Sequence, residues 1–265
     1  MKKIVPQFLI LLLSFFGIWF TLSKVDFVRL LHIKQIKQQS VDQIGKQVWK
    51  AFETTNTVIE NDTLTNALNK IRDRICDSNH LSIPADSIKI HVLENSEINA
   101  FALPGNHLVI YSALIKDCKN PEELAAVMSH EIAHMTRNHV AKKLLKEFGL
   151  SVILSSTGSG GGAVLKQISK LLSSTAYDRT LESEADEYAV EYMTNANINP
   201  DNLAQFLERM DKESALPRAA YLISTHPNAK ARAEAIIALT KTLKMVPMPV
   251  LDGKEWERMK GTIKD

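Results

Sequence analysis

Between Lys24 and Asn79 apolar residues recur three and four positions apart, as in VDQIGKQVWKAFE and LTNALNKIRDRI, which predicts helices with polar outer faces. After Pro84 the period changes. Ile88, Ile90 and Val92 alternate with polar neighbours, the pattern of a strand. INAFAL and HLVIY flank the turn signal Pro104-Gly105-Asn106, so two or three short strands are expected here. Asn120 can then cap a helix, Pro121 suits its first position, and Glu123 stands where a capping-box acid belongs. That helical pattern runs to Phe148 and stops at Gly149. The tract TGSGGGA, Thr157 to Ala163, reads as a linker or as a lid over a cleft. Helical periodicity returns from Leu165, from Arg179 to Asn195, after Asn199-Pro200-Asp201 and over HPNAKARAEAIIALTKTL, before Pro247 and Pro249 lead into a polar tail. With no internal repeat, the expected division is an N-terminal apolar segment (1–23), one domain (24–245) and a tail (246–265).

The apolar segment changes the picture. Ile4 to Leu22 carries no charge over 19 residues. A helix of that length, at about 1.5 Å per residue, nearly matches a hydrocarbon core of roughly 30 Å. No small-residue cleavage site follows it, which favours a retained signal anchor over a cleaved signal peptide. Lys2 and Lys3 held inside would turn the rest of the chain outward, with Lys24 and Arg29 on the far flank pulling the other way. The remaining composition, 45% apolar and 23% charged with a formal net charge of +2, is that of a globular protein and carries no nucleic-acid footprint. Cys76 and Cys118 form no CxxC and no disulfide framework, and are read as two unpaired thiols.

The chemistry gathers in SHEIAHMTRNH, Ser129 to His139. His130 and His134 are four apart on the predicted helix, some 40° apart on the wheel, so both imidazoles leave one face. Glu131 sits one residue along. Two neutral nitrogens can anchor Zn²⁺, an open position can carry water, and a carboxylate can take its proton. A catalytic zinc takes three protein ligands, so a third is needed. The pattern HExxHxxGxxH is excluded, because Arg137 and Val140 occupy the positions of its glycine and last histidine. On a continuing helix His139 lies about 140° from His134, which gives it a packing or supporting role. RTLESEADEYAVEY offers Glu182, Glu184, Glu187 and Glu191. Glu182 and Asp186 share a face, while Glu184, about 160° from Glu182, is expected in solvent. Glu182 is the better candidate for the third ligand, and Asp186 for an acid that orients a ligand histidine.

Four blocks, INAFALPGNHLVIYSALI, ELAAVMSHEIAHMTRNH, RTLESEADEYA and STHPNAKAR, spanning Ile98 to Arg232, resemble the membrane-associated zinc metallopeptidases that include HtpX, the CAAX prenyl proteases and the periplasmic peptidase BepA. The resemblance implies an α+β, mainly helical zincin (gluzincin) domain with a small β-sheet whose edge strand borders the cleft. It implies one zinc per chain, held by His130, His134 and Glu182, with Glu131 as general base. Asp186 then supports a ligand histidine. His226 matches a histidine that can approach the metal and either block or assist, and Arg232 matches the family's arginine. Asn99, Ala100, Phe101 and Ala102 match the edge strand that binds an extended peptide. The implied partners are unfolded or damaged polypeptides, and the implied location is the extracytoplasmic side of a bacterial envelope. BepA continues into a repeat domain where a short tail is read here, and FGLSVILSS is too short to cross a membrane, so a compact, singly anchored peptidase is expected rather than a prenyl-protein processor. The alternative is a non-catalytic or autoinhibited, chaperone-like peptide binder, which has no need of Glu131.

Overall fold

The computed structural model describes residues 38–155 and 162–264, with Leu12, Ser14 and Phe16 alone before them. The rest of the apolar run Ile4 to Leu22 and most of the Ser/Gly tract lie outside the described residues, so the anchor and the linker-or-lid readings do too. Among the described residues no helix is long and apolar enough to cross a membrane.

Helices α1 (Gln38–Thr55) and α2 (Asp62–Asn79) precede strands β1 (Lys89–Leu93), β2 (Ala100–Leu103) and β3 (His107–Tyr111). Then follow α3 (Ser112–Asp117), α4 (Pro121–Thr136), α5 (His139–Ser155), α6 (Gly162–Ser174), α7 (Arg179–Asn195), α8 (Asp201–Lys212), α9 (Pro217–Thr225), α10 (Ala229–Thr240) and α11 (Gly253–Gly261). The sheet order is β1-β3-β2, with β1 parallel and β2 antiparallel to β3, so β2 is an edge strand. Gly105 and Asn106, at φ +72° and +61°, supply the left-handed backbone that the β2–β3 turn requires.

Helix α4 starts as its sequence dictates: the Asn120 side chain accepts from the Glu123 N–H at 2.8 Å, with Pro121 in the first turn. The Glu123 carboxylate reaches back to the Lys119 N–H at 2.9 Å rather than closing on the cap residue. From Leu124 to Met135 every residue of α4 is buried, because α2, β2, α7 and α8 pack around it. Ala185 and Ala189 on α7 are fully buried, and their small side chains let α7 lie close to α4.

Two expectations change here. The helix expected from Pro121 to Phe148 is two helices, because Asn138 adopts φ +59° between α4 and α5. The non-helical backbone at Gly149 (φ +70°) falls where the pattern stopped. The stretch 246–265, read as a tail, carries α11, which docks on α2 through buried Trp256 and Met259, with Ile263 buried beyond it. Arg74 clamps its approach by donating to the carbonyls of Ala196, Asn197, Met248 and Pro249. Cys76 and Cys118 are buried and free.

Two features of the α1–sheet contact are testable. A Cβ added at Gly45 would stand 1.9 Å from the Pro104 carbonyl oxygen, a backbone atom that cannot step aside. Gly45→Ala should lower stability by roughly 1–3 kcal/mol in urea unfolding, the range of an overpacked contact. Trp49 of α1 stacks on His91 (centroids 3.6 Å apart), and His91 Nε2 lies 2.8 Å from His107 Nδ1. Burial, then the other's charge or that of Lys89, pushes His91 down to about 3 and His107 to about 4. Both are neutral when folded and take protons more readily when unfolded. Their contribution is therefore complete above the ordinary histidine value near 6.5 and is lost as pH falls toward 4, at on the order of 1 kcal/mol per pH unit per histidine. Melting temperature should fall more steeply over that window in the parent than in His91→Gln. Parallel profiles would contradict the assignment.

Candidate metal centre

The shared face expected of His130 and His134 on one helix is present in α4, with their Nε2 atoms 3.0 Å apart. Glu182 of α7 faces both, its carboxylate oxygens 3.6 Å from each Nε2. His226, which follows α9, brings Nδ1 to 3.1 Å from Glu182 Oε1 and Nε2 to 3.5 Å from Glu131 Oε1. One donor atom from each of His130, His134, Glu182 and His226 lies within 4.8 Å of the others, and all four residues are buried.

The charges are arranged around this set. Asp186, one turn beyond Glu182, stands 3.0 Å from His130 Nδ1. Arg232 of α10 grips Asp186 by two 2.7 Å hydrogen bonds from Nε and Nη2, while its Nη1 is 2.6 Å from Glu182 Oε2. Burial by itself would raise both acids. Arg232 outweighs it at Asp186, which falls to about 2, and His226 with Arg232 outweighs it at Glu182, held well below the usual carboxylate range. Burial raises Glu131 despite the nearby histidines, and drives His134 well down, keeping that imidazole neutral. Burial also lowers His226, but Glu182 and Glu131 raise it further.

This donor set fits a metal. His130 Nδ1 is engaged by Asp186 and His134 Nδ1 by His139, which leaves both Nε2 atoms aimed at one point beside a carboxylate. Two imidazoles and a carboxylate suit zinc better than a hard, oxygen-seeking ion.

Of the edge-strand residues, Ala100, Phe101 and Ala102 lie in β2 and Asn99 just before it, all buried. The Ala102 N–H donates to Glu131 Oε2 at 2.9 Å, which links the strand to the motif helix. Asn99 accepts a long 3.4 Å bond from Thr225, the residue before His226. Helix α6 packs against β2 and α9.

Two sequence readings are corrected. His139 does not turn away: the chain reverses at Asn138 and returns His139 Nδ1 to 2.9 Å from His134 Nδ1. Glu184 is not simply in solvent, since it meets Arg137 Nε at 2.8 Å and His139 Nε2 at 3.2 Å. Tyr177 was not anticipated at all. Its ring stacks on His134 with centroids 4.1 Å apart, and no spacing rule connects a residue before α7 to one inside α4.

A mainly helical domain with a small sheet and this buried histidine–carboxylate group defines a zincin-type metallopeptidase domain. The family model described as Peptidase family M48 matches residues 63–240, and the chain belongs to that family. It is 26% identical over 229 residues to the Beta-barrel assembly-enhancing protease of Escherichia coli K12, an alignment covering 81% of this chain and 46% of the relative. It is 31% identical over 153 residues to the Mitochondrial metalloendopeptidase OMA1 of Schizosaccharomyces pombe (56% of this chain, 45% of the relative). It is also 26% identical over 162 residues to the Metalloprotease LoiP of E. coli K12 (58% and 64%). The chain thus spans about half the length of the first two.

Arg232 neutralises two buried acids, so its loss should cost most when no metal shares that task. Arg232→Leu should destabilise the metal-free protein by about 3–5 kcal/mol, the cost of breaking a buried pair, and the zinc-loaded protein distinctly less. Melts with chelator and with zinc test this. An equal drop in both would refute it.

Proposed function

We propose that this chain is a zinc-dependent endopeptidase that cuts unfolded, damaged or misassembled polypeptides at the bacterial cell envelope. In this reading His130, His134 and Glu182 hold one zinc, Asp186 and Arg232 brace that set, and Glu131 is the general base. The observation that carries it is the buried Glu131 carboxylate, tied by one oxygen to Ala102 of the edge strand while the other faces His226 beside the donor group.

When bound, zinc supplies Lewis acidity that polarises the scissile carbonyl and acidifies water. Glu131, raised by burial, is suited to accept a proton from that water and pass it to the leaving amine. His226, between Glu131 and Glu182, can donate from Nε2 to negative charge growing on the carbonyl oxygen. Residues 99–102 would take the substrate by main-chain pairing, which is tolerant of side-chain identity and suits unfolded chains. The uncharged run Ile4 to Leu22 supports membrane attachment with this domain outside the cytoplasm. The names of the bacterial relatives, an assembly-enhancing protease and a metalloprotease, agree with a proteolytic role.

A second reading has its own support. His226 belongs to the four-donor group, and four protein donors would close the site to water, giving a resting, autoinhibited state. His226→Ala separates the two: turnover falls if the histidine assists and rises if it blocks.

Glu131→Gln should lower cleavage of an unfolded substrate such as casein by roughly 10²–10⁴-fold, the usual worth of a general base, while zinc content stays near one per chain. Unchanged cleavage by that variant would remove Glu131 from the chemistry, and unchanged cleavage after complete zinc removal would remove the metal.

A further inference from the structure

We propose that His139 and Glu184 form a relay that fixes the tautomer and orientation of His134, making His139 a positioning residue for metal capture. The inference rests on the reading above that His134 is a metal ligand.

The hydrogen-bond bookkeeping admits one consistent arrangement. His134 turns Nε2 toward the donor group, 3.0 Å from His130 Nε2, so as a ligand it carries its proton on Nδ1. That Nδ1 faces His139 Nδ1 at 2.9 Å, and two protonated nitrogens cannot share this contact. His139 Nδ1 is therefore the acceptor, and its proton sits on Nε2. His139 Nε2 in turn lies 3.2 Å from Glu184 Oε2, an acceptor only. The other Glu184 oxygen takes the Arg137 Nε–H at 2.8 Å, and the Arg137 guanidinium rests 4.3 Å above the Tyr188 ring centre. The order of donation runs from His134 through His139 to Glu184, whose place is held by Arg137.

The two ligand imidazoles are thus backed differently. His130 meets a carboxylate directly, Asp186, which lies in the interior with Arg232. His134 reaches its carboxylate through a second imidazole. His139 is fully buried, whereas the Glu184 side chain is 28% exposed, so the relay connects a ligand to the molecular surface. The device depends on the reversal at Asn138. A helix continuing past Thr136 would carry His139 about 140° away from His134. The left-handed residue at φ +59° ends α4 and begins α5 with His139 folded back onto the ligand.

Partners of this kind contribute roughly 10–100-fold to metal affinity. In the full chain, zinc affinity is measured by competition with a chromogenic chelator, alongside the melting temperature of the metal-free protein. His139→Phe keeps a ring but no acceptor and should bind zinc roughly 10–100-fold more weakly. His139→Asn can present an amide oxygen where Nδ1 stood and should recover most of that loss. Glu184→Gln, a change at a partly exposed site that should leave the fold intact, should weaken binding several-fold and so tests the relay even where His139→Phe fails to fold. Zinc affinities of His139→Phe or Glu184→Gln within twofold of the parent would overturn the relay, as would a metal-free melting loss in His139→Phe with unchanged affinity. His134→Ala keeps the two questions apart: if it too binds zinc like the parent, the metal reading itself fails, whereas loss of binding there with normal binding in the other variants rejects the relay alone.

Discussion

Three carboxylates, Glu131, Glu182 and Asp186, are buried in one small volume, and no fold can hold them there without cations among them. Arg232 is the fixed one. It bonds Asp186 with two donors and reaches Glu182 with a third nitrogen, so α7 and α10 cannot separate without exposing an unpaired charge. One guanidinium against three carboxylates leaves two negative charges if all are ionised, the charge that a divalent ion at the His130–His134–Glu182 position would balance. Without an ion, part of the burden falls on His226, whose acidity Glu182 and Glu131 weaken by attracting a proton to it. The same balance explains why Glu131, farthest from the guanidinium's hydrogen bonds, is the acid that burial raises.

The rest of the architecture serves to keep that volume closed. Helix α4 brings its motif residues into the interior because its neighbours bury it on every side, and the alanines of α7 allow the two helices to meet closely enough for Glu182 to reach both histidines. The sheet contributes through one atom, the Ala102 N–H. Helix α1 braces the sheet at the Gly45–Pro104 approach, and α11 braces α2 from the far end of the chain.

What could be read in the sequence follows from which contacts lie within a single helix. His130 with His134, and Glu182 with Asp186, are four-residue pairs, and the wheel places them correctly without tertiary knowledge. The same wheel misplaced His139, because it assumed that α4 continued, and it left Glu184 of α7 in solvent because the residues that meet it, Arg137 and His139, come from that reversal. Asn138 tolerates the left-handed region better than most residues, and that was the available signal. His226 and Arg232 come from other elements, and only the resemblance connected them to the site. The tail was misread for another reason. Trp256, Met259 and Ile263 recur at helical spacing, but two prolines and a mostly charged surface disguised an amphipathic turn that needs α2 to bury it.

The geometry of β2 ties binding to chemistry in the proposed enzyme. In an antiparallel pair, N–H groups alternate between the partner strand and the outer edge. The Tyr111 N–H donates to the Asn99 carbonyl, so the main-chain groups of Asn99 and Phe101 face β3, and those of Ala100 and Ala102 face outward. Of these outward groups, the Ala102 N–H is already committed to Glu131. A peptide adding to this edge would pair beside the residue that holds the general base, and any shift of the strand would be felt at the carboxylate. A bond from a rigid backbone amide to one oxygen also directs the other oxygen, which here faces His226 rather than the apolar interior. The strand that would read a substrate by its main chain therefore also sets where the proton acceptor stands, so disorder in β2 would impair the chemistry as well as the binding.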